Sequence, residues 1–379
     1  MKFHTTREKA LKSLETFINK DIVNYSSKRN HDFGPIDRKN VSCLSPYISH
    51  RLINEYEISK KVLSKHPYQK VEKYIQEIYW RVYWKGWLEL RPKVWADFIE
   101  DLNIIEESEN YHLAINGQTK IECFNDWVKE IKEYNYLHNH TRMWFASIWI
   151  FTLDLPWQKG AEFFMKHLLD GDAASNTLSW RWIGGLQTKG KHYLAQTWNI
   201  SKFLKKQYKN IELRENVLPL IDNREYKILP LEIQKSNFRN DCLIVFENDL
   251  SVESLKIKDY KKIYFILLDN NLRSIKLDSK VLKYKKNIME DQLNEINDNF
   301  ELINENKIEE LLENLKNFDI VYPSIGENMT FLKKIVKEKK LAVNFITREE
   351  DIFCWNFSNK GYFNFKSNIP KILAKFQLN

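Results

Sequence analysis

The sequence predicts a chain of two parts, an all-helical domain followed by a smaller α/β domain with a parallel sheet, and three observations carry that expectation. Apolar residues recur at three- and four-residue spacing through the first 210 positions. After position 240 short apolar runs alternate with charged stretches. Between the two patterns Pro219 and Pro230 fall in a stretch of mixed charge without periodicity. At 379 residues the chain is long enough for two cores of ordinary size. The expected parts are 1–210, helical; 211–240, a linker; and 241–379, α/β.

In the first part Ala10, Leu14, Phe17 and Ile18 mark one helix face, Ile75, Ile78, Tyr79, Val82 and Tyr83 a second, and Phe124, Trp127, Val128 and Ile131 a third. In the last part the runs Cys242–Phe246, Ile263–Leu267, Ile320–Tyr322 and Leu341–Phe345 read as buried strands. Helices are expected between them at Ile308–Phe318 and Asn328–Lys339, which implies βαβ units and a Rossmann-like parallel sheet. No glycine-rich phosphate loop accompanies these strands.

Charge and tryptophan are unevenly spread. Residues 1–210 hold 32 Lys and Arg against 24 Asp and Glu, while the remainder holds 27 of each. The same first part carries 11 of the 12 tryptophans. A basic, aromatic surface suits a phosphate backbone and stacked bases; a solvated basic surface over an aromatic core would have the same composition. Cys43, Cys123, Cys242 and Cys354 lie far apart, which argues against a zinc site, an iron–sulfur cluster or a disulfide framework. The longest uncharged aromatic stretch, Met143–Leu153, is too short to cross a bilayer, and the N-terminal residues lack the apolar core of a signal peptide. A soluble, cytoplasmic monomer without membrane association is the expectation.

Four segments carry chemistry. In Ser42-Cys43-Leu44-Ser45-Pro46, Ser45 is a natural N-cap and Pro46 suits the first helical position, so N–H groups and hydroxyls converge where an anion is favoured; a plain capped helix would look the same. On the helix around Tyr74, the residues Glu77, Trp80, Arg81 and Trp84 fall on neighbouring faces. There Glu77 can read a base edge or pair with Arg81. Asn139, Arg142 and Met143 share a helical face, and Arg142 can pair with Asp170 or Asp172 of the segment Asp170-Gly171-Asp172, which lacks the clustered oxygen ligands of a metal site.

Taken in order, these segments resemble the flavin-binding domain of the photolyase/cryptochrome family over about residues 5–210. The run His138-Asn139-x-x-Arg142-Met143, Leu155-Pro156-Trp157, Phe163-Phe164, Asp170-Gly171-Asp172-x-x-x-Asn176 and Trp180-x-Trp182 carries the match, with Tyr25-x-x-x-Arg29 and Ser42-x-Leu44-Ser45-Pro46 upstream. The resemblance implies non-covalent FAD. Tyr25, Arg29, Ser42, Cys43, Leu44 and Ser45 would lie at its phosphates with Tyr74 nearby. Arg142 and Asp170 would form an ion pair against the ring system, Asp172 would bond its polar edge, and Asn176 would face N5. It further implies that Glu77 and Asn139 bond the damaged bases, that Met143 and Arg81 sit beside them, and that Trp80 and Trp182 wall the pocket. Trp180, Trp157 and Trp95 match a three-tryptophan chain from flavin to surface.

The activity implied is light-driven repair of cyclobutane pyrimidine dimers in ultraviolet-damaged DNA by an electron from excited reduced FAD, a deoxyribodipyrimidine photolyase-like lyase reaction. Asn139 stands where a (6-4) enzyme would place histidine. The other reading is a cryptochrome-like blue-light receptor that keeps FAD without repair. Val41 stands where the family usually has a hydroxyl, and His140 where an arginine would reach a DNA phosphate, which implies a preference for single-stranded or locally open DNA. The family places its α/β antenna domain first; here the α/β part comes last, ending in Gly361-Tyr362-Phe363-Asn364-Phe365, as in a circular permutation. These residues name no antenna chromophore.

Overall fold

The computed structural model describes residues 3–231, 233, 239–252, 260–295, 300–303 and 307–378; of the expected linker, 232 and 234–238 lie outside it. Helices run from Arg7 to Phe203, and the strands begin at Cys242. The three apolar faces read from the sequence are buried in the helices Arg7–Lys20, Tyr68–Glu89 and Glu122–Tyr134. Their ends follow local chemistry. Thr6 accepts from the Lys9 amide at one helix start, Asn54 from the Glu57 amide at another, and Gly117 and Asn135 close two helices in the left-handed conformation.

The α/β part is a five-stranded parallel sheet. Its strands are β1 (Cys242–Phe246), β2 (Lys262–Ile266), β3 (Phe300–Ile303), β4 (Asn317–Val321) and β5 (Ala342–Ile346), in the order β3-β2-β1-β4-β5. Four of them answer to the apolar runs in the sequence. β3 is short and carries Glu301, so no run announced it. The expected helix Ile308–Phe318 ends at Leu315, because Lys316 turns the chain at positive φ and Asn317–Val321 continues as β4. Helix Ser279–Glu295 was not anticipated.

The long helix Tyr68–Glu89 ties the two parts together. It packs on Ala173–Ile183, Glu55–Leu63 and Tyr25–Lys28 from the helical part and on Glu349–Trp355 and Tyr362–Ser367 from the end of the chain. The close approach is possible because position 86 is glycine: a Cβ there would lie 2.5 Å from the Trp355 ring. Beside this contact Arg51 donates to Asp351 at 2.6 and 2.7 Å, to Asp249 at 3.1 Å and to Glu55 at 3.1 Å. Asp249 also takes two bonds from Arg348. His50 bridges the carbonyls of Leu169 and Glu247, one in each part. A buried cation among three carboxylates is stable only as a complete set, so this network fixes how the parts meet. No helix among the described residues is long and apolar enough to cross a membrane.

Candidate functional site

Leu168–Asp172 connects helix Trp157–His167 to helix Ala173–Ile183 and brings Asp170 to Arg142 of the helix Asn139–Ser147 and Asp172 toward Arg81 of the helix Tyr68–Glu89. Asp170 is buried, and its Oδ2 takes bonds from Arg142 Nη2 at 2.9 Å and from Ser45 Oγ at 2.5 Å. Burial pushes this carboxyl up; Arg142, through charge and hydrogen bond, and then Ser45 pull it down further, leaving it below the usual carboxylate range. Arg142 is held in turn by the Leu137 carbonyl at 2.8 Å and by the Tyr136 ring, 5.2 Å from its guanidinium carbon. Ser45, Arg142 and Asp170, separated by up to 125 positions, therefore form one cluster.

Two details differ from the sequence reading. Helix Ser45–Ser49 begins at Ser45 rather than after it, with Leu44 at the cap position, and the Ser45 hydroxyl donates to Asp170 instead of capping the turn. Glu77 does not pair with Arg81. It lies 2.8 Å from Lys73 and 3.6 Å from Arg29, while Arg81 approaches Asp172 at 3.8 Å. Lys73 and Arg81 each stand four residues from Glu77 on one helix; Lys73 takes it, while packing brings Arg29 to Glu77 and Asp172 to Arg81.

Asp172 caps helix Ala173–Ile183, its Oδ1 accepting from the Ser175 amide at 2.6 Å. Asn176 donates to the Ala161 carbonyl at 2.8 Å, which orients its amide. Tyr25 and Tyr74 meet edge to face at 5.1 Å, and Cys43, at φ 53°, turns the chain sharply between Ser42 and Leu44. Leu44 is buried. Several buried polar atoms around the cluster have no hydrogen-bond partner among the described residues: Asp170 Oδ1, the Tyr74 hydroxyl and Ser175 Oγ, with Arg81 Nη1 held only by charge, 3.8 Å from Asp172. Leaving such atoms unpaired costs about 1–3 kcal/mol each. A ligand carrying both donors and acceptors would satisfy them, and FAD, with phosphates, hydroxyls and a polar ring edge, is of that kind.

Asn139 is exposed at the start of its helix, with Met143 half-buried one turn on. His140 is buried, its ring 4.3 Å from Trp144 and its Nδ1 2.9 Å from the Asn30 carbonyl, so it is a packing residue rather than a surface contact. Trp182 stacks on Tyr193 at 5.9 Å. Trp80 stacks on Tyr362, ring centroids 3.4 Å apart and planes within 13°, so a residue near the end of the chain covers one of its faces. No sequence signal could have revealed that contact. Tyr136, under Arg142, was also missed, although it lies two residues before the His138-Asn139 motif.

The tryptophans divide. Trp180 leans on Gly160, where a Cβ would fall 2.3 Å from its ring, and Trp157 stands one turn before Gly160 on the same helix. Trp157 and Trp95 both pack on Phe98, at 5.4 and 5.5 Å. Trp95, expected at the surface, is buried, and its Nε1 donates to Thr330 Oγ1 at 3.2 Å, beneath helix Glu327–Lys339 of the α/β part.

Residues 74–244 match the family model described as the FAD binding domain of DNA photolyase. A deoxyribodipyrimidine photo-lyase of Buchnera aphidicola is 27% identical over 184 residues, which cover 46% of this chain and 38% of the relative. The enzyme of the same name from Neurospora crassa is 30% identical over 182 residues, 45% of this chain and 29% of the relative. A crystal structure of a bacterial class III photolyase from Agrobacterium tumefaciens aligns at 24% identity and a TM-score of 0.46, over 52% of this chain and 42% of that one. This chain spans less than half the length of these relatives. The segment that holds Arg142 and Asp170 is thus similar to the FAD binding domain of the photolyase/cryptochrome family, and FAD is the cofactor that this likeness supports for the helical part.

Proposed function

We propose that this chain repairs cyclobutane pyrimidine dimers in blue light, taking them from single-stranded or locally open DNA. The observation that carries the reading is the cluster of Ser45, Arg142 and Asp170, with a carboxylate oxygen left free in a buried setting. Bound FAD supplies the light absorption and the electron. The chain supplies position: Ser42, Leu44, Ser45 and Tyr74 toward the phosphates, and Arg142, Asp170, Asp172 and Asn176 toward the ring system. Glu77, Asn139 and Met143 form the contact set for the pyrimidine pair, between Trp80 and Trp182. Drawing a base out of a duplex costs least where it is damaged or already unpaired, and burial of His140 removes one contact that would help hold a duplex.

The test uses protein with chemically reduced flavin and a single-stranded oligonucleotide bearing one dimer. Repair is expected in blue light and none in the dark. Glu77→Ala and Asn139→Ala should each weaken dimer binding by about 1–3 kcal/mol with flavin content unchanged. A cryptochrome-like receptor is the second reading, favoured by one observation, the Tyr362 ring lying over Trp80. Light-dependent repair by the wild type excludes it; no repair on single- or double-stranded substrate replaces the first reading with it.

A further inference from the structure

A tryptophan chain that feeds electrons inward needs an outer end that a soluble reductant can reach. Trp95 does not offer one, since it is buried under the α/β part. Trp157 is also buried. Against Trp157 also lies Arg181, the neighbour of Trp180 in sequence, whose guanidinium carbon is 5.8 Å from the Trp157 ring centre. The same guanidinium carbon lies over the Tyr226 ring, at 5.2 Å. Tyr226 comes from the stretch between the two parts, where Arg224, Glu225 and Lys227 are exposed, and its own ring is half-buried.

We propose that Tyr226 is the outermost relay residue, passing an electron to Trp157 across the Arg181 guanidinium. The inference rests on the flavin reading above. In the step, a Trp157 ring that has lost an electron inward recovers it from the Tyr226 phenol, the phenol proton leaves to a carboxylate, and a neutral tyrosyl radical remains. An external thiol then returns one electron and one proton to that radical and becomes a thiyl radical, the carboxylate releases its proton to solvent, and the thiyl radicals of two such turnovers couple to a disulfide.

Three observations fit these roles. A fixed cation beside Trp157 disfavours positive charge on that ring, whereas an oxidised tyrosine that sheds its proton carries none, so the field drives the vacancy outward. The Tyr226 hydroxyl is buried and bonded to nothing among the described residues. Asp97 Oδ2, buried without a hydrogen bond among the described residues and 3.9 Å from Arg224 Nη1, belongs to the surrounding group of Asp97, Asp101, Asp222 and Arg224. Burial first, with Asp222 and Asp97 adding and Arg181 and Arg224 opposing, pushes the phenol up to about 12, so it keeps its proton at neutral pH and electron loss must be coupled to proton loss.

The experiment is transient absorption and electron paramagnetic resonance on the full chain loaded with oxidised FAD, with steady-state photoreduction by a thiol. In the wild type a tryptophan radical should give way to a neutral tyrosyl radical, formed more slowly in D2O. Tyr226→Phe should retain FAD and the first tryptophan radical, lose the tyrosyl signal, and lower thiol-driven photoreduction at least fivefold. Asp97→Asn should slow tyrosyl formation, while Trp95→Phe should leave photoreduction within twofold. If Tyr226→Phe behaves as the wild type while Trp180→Phe is impaired, the relay is wrong and the flavin reading stands. The crevice of about 330 Å³ that Trp157 lines with Leu220 and Arg224 would then be where the reductant enters. A wild type that binds no flavin would overturn both.

Discussion

Removing either partner of the Arg142–Asp170 pair should cost different amounts, and the structure fixes which is larger. Arg142→Ala leaves a carboxylate whose side chain is 1% exposed with a single donor, Ser45. That sits at the upper end of the cost of breaking a buried pair, about 5 kcal/mol. Asp170→Ala leaves a guanidinium whose side chain is 21% exposed, still bonded to the Leu137 carbonyl and lying over Tyr136, so about 3 kcal/mol is expected. Adding Asp170→Asn to Arg142→Ala removes the stranded charge and should recover roughly 2 kcal/mol. The measurement is urea unfolding of flavin-free protein, because a bound ligand at 100 times its Kd would add about 2.7 kcal/mol and hide the difference. If Arg142→Ala costs no more than Asp170→Ala, or the double variant is no more stable than Arg142→Ala, the electrostatic account of the cluster is refuted.

Acid should loosen the junction of the two parts in two stages. Burial first, then Lys285, lowers His50 to about 3, so protons bind preferentially to the opened form and stability falls as pH drops below about 6.5. Glu247 is raised by burial but pulled to about 2 by Arg273 and Lys285, so its contribution is present above the ordinary carboxylate range and is lost between about 4.5 and 2. Proteolysis within residues 210–241 should accelerate from pH 7 to 5 in the wild type but not in His50→Gln; equal acceleration in both would contradict this. Gly160→Ala should gain up to about 1 kcal/mol in helix propensity and lose about 1–3 kcal/mol by displacing Trp180, whose ring occupies the Cβ position. Lower stability with altered near-ultraviolet circular dichroism is expected, and unchanged values of both would show that Trp180 does not rest there.

Local pattern was enough for the helices of the first part and four of the five strands, because burial of one helix face or of a whole parallel strand writes a period into the sequence. Strand β3 and helix Ser279–Glu295 escaped: the first is a short edge strand with a charged residue, the second a lysine-rich helix whose apolar face, Val281, Tyr284, Ile288 and Met289, was present in the sequence but not read. The motif residues of the flavin cluster were legible as types and spacings, and the pairing of Arg142 with Asp170 was open to either aspartate until the fold selected one. Partners of long side chains were not legible. Glu77 met Lys73 and Arg29 instead of Arg81, Ser45 donated to Asp170 instead of capping, and Trp95 was roofed by Thr330 instead of facing water. Asp170, Thr330 and Arg29 lie on other elements and are brought there by packing, whereas Lys73 shares the helix of Glu77 and competes with Arg81 for it. The covering of Trp80 by Tyr362 spans most of the chain, and the meeting of Arg181 with both Trp157 and Tyr226 joins separate segments; neither hydrophobic period nor residue spacing carries information over such separations.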